Sequence, residues 1–174
     1  MEITLIRHLP TEWNLQAKLQ GKRDIPILSI TEDDKNKIET NLRLLEQKSY
    51  EFVLCSTLLR TQQTAQLYGY KALPEPLLDE LDFGPFEGRS KEDLIMEYGS
   101  LWSENPRELV IGESLLNLEK RIISFLEKYK EATNILAFGH GSWIRALSSY
   151  YQYGHINQMN QVTFLNNELV SFKF

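Results

Sequence analysis

Arg7 and His8 stand side by side at the end of a short apolar run, 3–6, and the turn-forming segment LPTEWN follows them. An imidazole beside a guanidinium suits phosphate chemistry, because the planar fork grips the oxygens while a neutral ring nitrogen attacks phosphorus. A second apolar run, 52–55, is followed by Ser56-Thr57-Leu58-Leu59-Arg60, and a third, 135–138, by Gly139-His140-Gly141-Ser142. Two arginines and two histidines, scattered from position 7 to position 140, thus each follow a strand-like run.

Convergence of these residues requires a particular architecture. Compact apolar runs are expected of strands buried on both faces, and helical patterns alternate with them, which predicts an α/β layer fold. Between the first two runs, Thr31 and Asp34 form a capping pair ahead of Ile38, Leu42 and Leu45 at helical spacing. Ser90 and Asp93 open another helix carrying Leu94, Tyr98 and Leu101, and Pro106 bars its extension. A longer one starts at Ser114, with Leu115, Leu118, Ile122, Phe125, Leu126 and Tyr129 on one stripe. The tail VTFLNNELVSFKF alternates about Asn166 and Asn167 and predicts a hairpin at the sheet edge. The expectation is a three-layer α/β/α sandwich over 1–174, one domain with a mostly parallel central sheet and a C-terminal hairpin. In such folds ligands collect beyond the carboxyl ends of the strands, where all four basic residues fall.

Composition narrows the partners. The chain has 174 residues, 42% apolar and 25% charged, enough for one domain with a substantial core. A net charge of −5 and a pI near 5.3 argue against nucleic acid or an anionic membrane as partner, so phosphate binding must rest on a local cation cluster. Cys55, the lone cysteine, sits in an apolar run and is expected to be buried and reduced; with no signal-peptide pattern or apolar span, this suggests a cytoplasmic protein.

The segments LIRHLPTEWN, QGKRDIPI, STLLRTQQTA, LDELDFGPFEGRS, GESL and FGHGSWIR, in this order across 5–145, resemble the successive blocks of the histidine phosphatase superfamily, in its phosphoglycerate-mutase-like branch. The resemblance implies a metal-independent mechanism without a cofactor, in which His8 is the nucleophile of a phosphohistidine intermediate. Arg7 and Arg60 would bind phosphate and stabilise the transition state, and their charges would also keep the His8 ring neutral. An arginine at a helix start is disfavoured by the dipole, and a bound anion would resolve that conflict for Arg60. His140 would donate to a phosphoryl oxygen as an imidazolium, aided by the amides opening the next helix at Gly141. Family register assigns proton donation to Glu80, four residues before Gly84, although Asp79, Asp82 and Glu87 compete for it on sequence alone. Asn14 and Gln20 match pocket positions, and Glu113 with Ser114 matches the GES block near the site; Ser114 also suits a helix cap.

One departure stands out. Leu9 and Pro10 replace the glycine and glutamate-like residues usual after the nucleophile. Pro10 removes an N–H and biases Leu9 towards an extended backbone, and Leu9 is expected to add an apolar wall near the leaving group.

Phosphatases and mutases share this machinery and differ in whether water or a second hydroxyl takes the phosphoryl group. Mutases of this kind carry long insertions that shut water out, whereas only about fifty residues separate Glu80 from the run 135–138 here. A phosphomonoester phosphatase acting on a small phosphorylated metabolite, such as α-ribazole phosphate, phosphoserine or a phosphosugar, is the expectation. The alternatives are a cofactor-dependent phosphoglycerate mutase and a silent phosphate-binding regulatory protein. Nothing in the sequence selects the natural substrate or the number of subunits.

Overall fold

A computed structural model describes residues 1–174. Strand β1 (Glu2–Arg7) leads through a single helical turn, α1 (Glu12–Leu15), to α2 (Glu32–Leu45), and β2 (Phe52–Cys55) leads into α3 (Leu59–Leu67). After a two-residue strand β3 (Leu73–Pro74), the chain runs through 3-10 turns to α4 (Lys91–Tyr98) and α5 (Ser100–Glu104). Helix α6 (Leu115–Lys128), strand β4 (Asn134–Gly139), helix α7 (Gly141–Tyr153) and strand β5 (Leu169–Lys173) complete it. The sheet order is β3-β2-β4-β1-β5, parallel except for β5, which runs antiparallel to β1.

Alternation along the strands builds two cores. Ile3, Leu5, Leu54, Ile135 and Ala137 pack with α6 and α7, while Ile6, Cys55, Leu136 and Phe138 face α2 and α3 on the other side. Helices on both faces make the expected three-layer α/β/α sandwich. Cys55 is buried as expected, and no helix is long and apolar enough to cross a membrane.

The capping boxes expected at Thr31/Asp34 and Ser90/Asp93 are formed. The second helix stops earlier than its stripe suggested. Gly99 takes φ +53, a left-handed value that breaks the helix after Tyr98, and Leu101 falls in the separate α5.

The C-terminal hairpin is corrected in part. Its second arm is β5, but 162–165 forms no strand. The turn at Asn166–Asn167 is present, with Asn167 at φ +60, yet the carbonyl of Phe164 accepts a hydrogen bond from Arg7 Nη1 at 2.5 Å. This pulls the first arm over the carboxyl end of β1. Asn41 and Tyr68 hold the turn from below, with Asn41 Nδ2 donating to the Asn167 carbonyl at 3.1 Å and Tyr68 Oη donating to Asn167 Oδ1 at 2.5 Å.

Candidate active site

His8 follows β1 and is 2% exposed. Its Nδ1 lies 2.7 Å from the carbonyl of Leu9, and because a carbonyl can only accept, Nδ1 carries the proton and Nε2 keeps its lone pair. The Leu9 amide donates to Thr64 Oγ1 at 3.0 Å and fixes this loop. Burial first, then the charges of Arg60 and Arg7, push the His8 pKa well below its usual value, so the ring is neutral at pH 7.

His140 caps α7, and its ring centroid lies 5.4 Å from that of His8 at an interplanar angle of 62°. Both its ring nitrogens are buried without a partner. Burial, then Arg60, His8, Arg7 and Arg121, drive its pKa well below the usual value. With these neighbours alone the His140 ring is neutral at pH 7, and the charge of a phosphoryl group beside it favours the protonated form expected of a donor.

Arg60, at the start of α3, is fully buried. Its Nη1 and Nη2 donate to the carbonyls of Arg23 (2.7 Å) and Gly21 (2.8 Å), shaping the loop below the site. Burial lowers its pKa to about 10, which leaves it charged at pH 7. Arg7 reaches across from β1 and lies flat on Gly141, where a Cβ would sit 3.2 Å from its Cζ. The Nε atoms of both arginines are buried and unpartnered. Together with His140, that makes four buried nitrogens without a partner at one sheet edge; the two guanidinium Nε–H groups and the one N–H of the neutral imidazole are donors that an oxyanion would satisfy.

Among the competing carboxylates, Glu80 lines the cleft. It accepts from the amides of Leu81 (2.9 Å), Ser142 (3.1 Å) and Trp143 (3.2 Å). The amides of Ser142 and Trp143 in the first turn of α7, expected to face phosphate, thus donate to Glu80. Asp79 accepts from Ser56 and Thr57, Asp82 from the Gly84 amide, and Glu87 pairs with Arg23.

Glu113, expected near the site as a substrate-binding residue, is not among the residues that line the cleft; it forms a two-pronged ion pair with Arg121, at 2.8 and 2.9 Å. Arg121 also donates to the carbonyls of Leu77, Asp79 and Glu80, so the pair clamps the backbone that presents Glu80. Ser114 caps α6 without a side-chain hydrogen bond.

Asn14 and Gln20 line the cleft. Buried Thr11, missed by sequence reasoning, organises both: its amide donates to Asn14 Oδ1 at 3.0 Å and its hydroxyl to Gln20 Oε1 at 2.9 Å. With both amide oxygens turned to Thr11, each side chain keeps its NH2 for the cleft. Thr11→Val should raise KM about three- to tenfold with little change in kcat, as measured by steady-state kinetics. Arg145 and Lys91, also missed, line the cleft too. Their signals were present. Arg145 ends the block FGHGSWIR four residues after Gly141, on the same helix face, and Lys91 is a cation at the first position of α4, the anomaly that singled out Arg60.

The cleft holds about 170 Å³, and of its 16 lining residues only Leu19, Phe83 and Phe164 are hydrophobic. That is below the roughly 300–1,000 Å³ usual for drug-sized ligands, and suits a small polar one.

The model of the histidine phosphatase superfamily (branch 1) matches residues 3–174. The chain belongs to this superfamily. It is 32% identical over 152 residues to the uncharacterized phosphatase PhoE of Bacillus subtilis, covering 83% of this chain and 74% of that protein. It is 28% identical over 166 residues to the probable phosphoglycerate mutase GpmB of Yersinia enterocolitica, covering 86% and 74%. The crystal structure of the alpha-ribazole phosphatase from Shigella flexneri superposes with a TM-score of 0.77 at 26% identity, covering 98% of this chain and 89% of that one.

In this member of the superfamily, Leu9 is not among the residues that line the cleft. It is 1% exposed and packs into the core with Ile6, Ile38 and Leu45, with its amide held by Thr64 Oγ1.

The two neutral imidazoles make stability depend on pH. Their folded pKa values are depressed, so the unfolded chain binds more protons below about pH 6.5. The stability that they contribute is full above that pH and is lost as pH falls towards the folded values, by up to about 2.7 kcal/mol per pH unit for the two rings together. Urea unfolding at pH 7.5 and 5.5 should show this loss, with inorganic phosphate opposing it; equal stability at both would exclude it.

Proposed function

We propose that this chain is a metal-independent phosphomonoester phosphatase that acts on a small phosphorylated metabolite through a phosphohistidine on His8. The observation that carries this is the His8 tautomer: Nδ1 is tied to the Leu9 carbonyl, and the Nε2 lone pair is left beside Arg7, Arg60 and His140. Nε2 attacks phosphorus, the P–O ester bond breaks, and Glu80 supplies the proton to the departing oxygen. Arg7, Arg60 and His140 hold the three remaining oxygens as charge builds on them. Water then attacks the phosphohistidine, Glu80 takes its proton, and phosphate leaves. Asn14 and Gln20 add neutral donors, and Gly141 lets Arg7 lie close. The cytoplasm is the compartment we assign to it.

Hydrolysis of phenyl phosphate in excess chelator tests this reading. Undiminished release of phosphate is expected, and abolition by the chelator would overturn the metal-free mechanism. Relatives named as probable phosphoglycerate mutases favour a second reading. Phosphoglycerate isomerisation, primed with bisphosphoglycerate, should be slower than hydrolysis, and a faster rate would overturn the phosphatase.

A further inference from the structure

Glu80 stands in a stretch that has no regular structure to hold it. Residues 79–83 belong to neither helix nor strand, so no ladder of backbone hydrogen bonds fixes the carboxyl group proposed to give and take the proton. Helix α6 and the loop ahead of it do so instead. Arg121 Nη1 donates to the carbonyls of Leu77 at 3.2 Å and Asp79 at 2.8 Å, and Nη2 donates to that of Glu80 at 3.4 Å. From the loop, the amides of Gly112 and Glu113 donate to the Asp82 carbonyl at 3.2 and 3.1 Å, and the Asp82 amide donates back to Glu113 Oε2 at 3.2 Å.

The ion pair locks this grip. Glu113 accepts from Arg121 Nε and Nη2 at 2.8 and 2.9 Å, with the two side chains 15% and 20% exposed, so the planar fork is held in one orientation. Helix α7 grips the same segment: Trp143 Nε1 donates to the Leu77 carbonyl at 2.8 Å, and the Trp143 amide donates to the Glu80 carboxylate. Backbone and head group of Glu80 are therefore fixed separately, by different helices. Neither Arg121 nor Glu113 is among the residues that line the cleft. On His140, burial, Arg60, His8 and Arg7 all outweigh the charge of Arg121, so what Arg121 does for the reaction passes chiefly through the segment it holds.

We propose that Arg121, locked by Glu113, is a positioning residue for proton transfer, and that its fork sets where the Glu80 carboxyl group meets the departing oxygen. This deepens the phosphatase reading and rests on Glu80 being its proton donor. A displacement on the order of 1 Å at a reacting group can cost about a hundredfold in rate. Proton donation contributes about 10²- to 10⁴-fold in all, so freeing the segment removes much of what Glu80 supplies. The grip of Arg7, Arg60 and His140 on the phosphate is left in place.

Steady-state kinetics of Arg121→Met and Arg121→Lys with two esters test this. For Arg121→Met, kcat for ethyl phosphate should fall at least about tenfold, kcat for p-nitrophenyl phosphate less than about threefold, and each KM should stay within about twofold. Arg121→Lys keeps the charge, and with it the pairing with Glu113 that favours a folded protein, but a point charge does not span three carbonyls. It should show the same contrast between esters, with the thermal midpoint of each variant measured in parallel. Introduced into Glu80→Gln, Arg121→Met should slow ethyl phosphate hydrolysis no further, because nothing is left to position. Equal losses for the two esters, wild-type rates in Arg121→Lys, or a full further loss in the Glu80→Gln background would each overturn the positioning role and leave the phosphatase reading standing. A wild-type protein that hydrolyses neither ester would overturn both.

Discussion

The His8→Ala protein should hydrolyse phenyl phosphate at least about 10⁴-fold more slowly than wild type, because groups that act as a unit fail together when the nucleophile is removed. Arg7, Arg60 and His140 would still bind the ester, so KM should change far less than kcat. Rapid quenching with labelled substrate should trap phosphate on the wild-type protein and none on the variant. The substitution leaves the Leu9 carbonyl without its partner, and the thermal midpoint, measured in parallel, separates lost chemistry from lost folding. A variant that keeps a tenth of wild-type activity would remove His8 as the attacking group.

Glu80→Gln is the second large effect. Without a proton to give, kcat for an alkyl phosphate should fall about 10²- to 10⁴-fold. The loss should be much smaller for p-nitrophenyl phosphate, whose leaving group departs readily as an anion. That contrast is the readout, because a structural defect would slow both substrates alike. Such a defect is a real risk here: three backbone amides point at the Glu80 carboxylate, and an amide NH2 cannot accept from any of them. A uniform loss across leaving groups would exclude Glu80 as the proton donor.

The parts of this molecule that the sequence made legible are those governed by local chemistry. Apolar runs bounded by turns gave the three central strands, and the pairs Thr31/Asp34 and Ser90/Asp93 marked helix starts because a capping box is complete within four residues. The gathering of Arg7, His8, Arg60 and His140 followed from topology, since each stands at the carboxyl end of a parallel strand or within a few residues beyond it. What stayed hidden depends on partners remote in the chain. The pattern of 162–165 suits a strand, but Arg7 competes for its backbone. Glu113 looked like a ligand of the site until Arg121 claimed both its oxygens. Thr11 carried no signal of its own, because its importance lies in which way it turns Asn14 and Gln20. The charge of His140 is a property of its burial, which composition and spacing do not encode.

The diverted turn before β5 has a consequence for when this protein becomes competent. The Arg7 amide donates to the Glu168 carbonyl, the Asn167 amide to the Arg7 carbonyl, and Asn166 Nδ2 to the His8 carbonyl, at 3.1, 3.0 and 2.8 Å. The proposed reacting side chains all lie between Arg7 and His140, but the backbone that aims two of them is fastened only when 164–173 docks. Removing that segment is therefore expected to silence a chain that still holds every group the proposed chemistry uses.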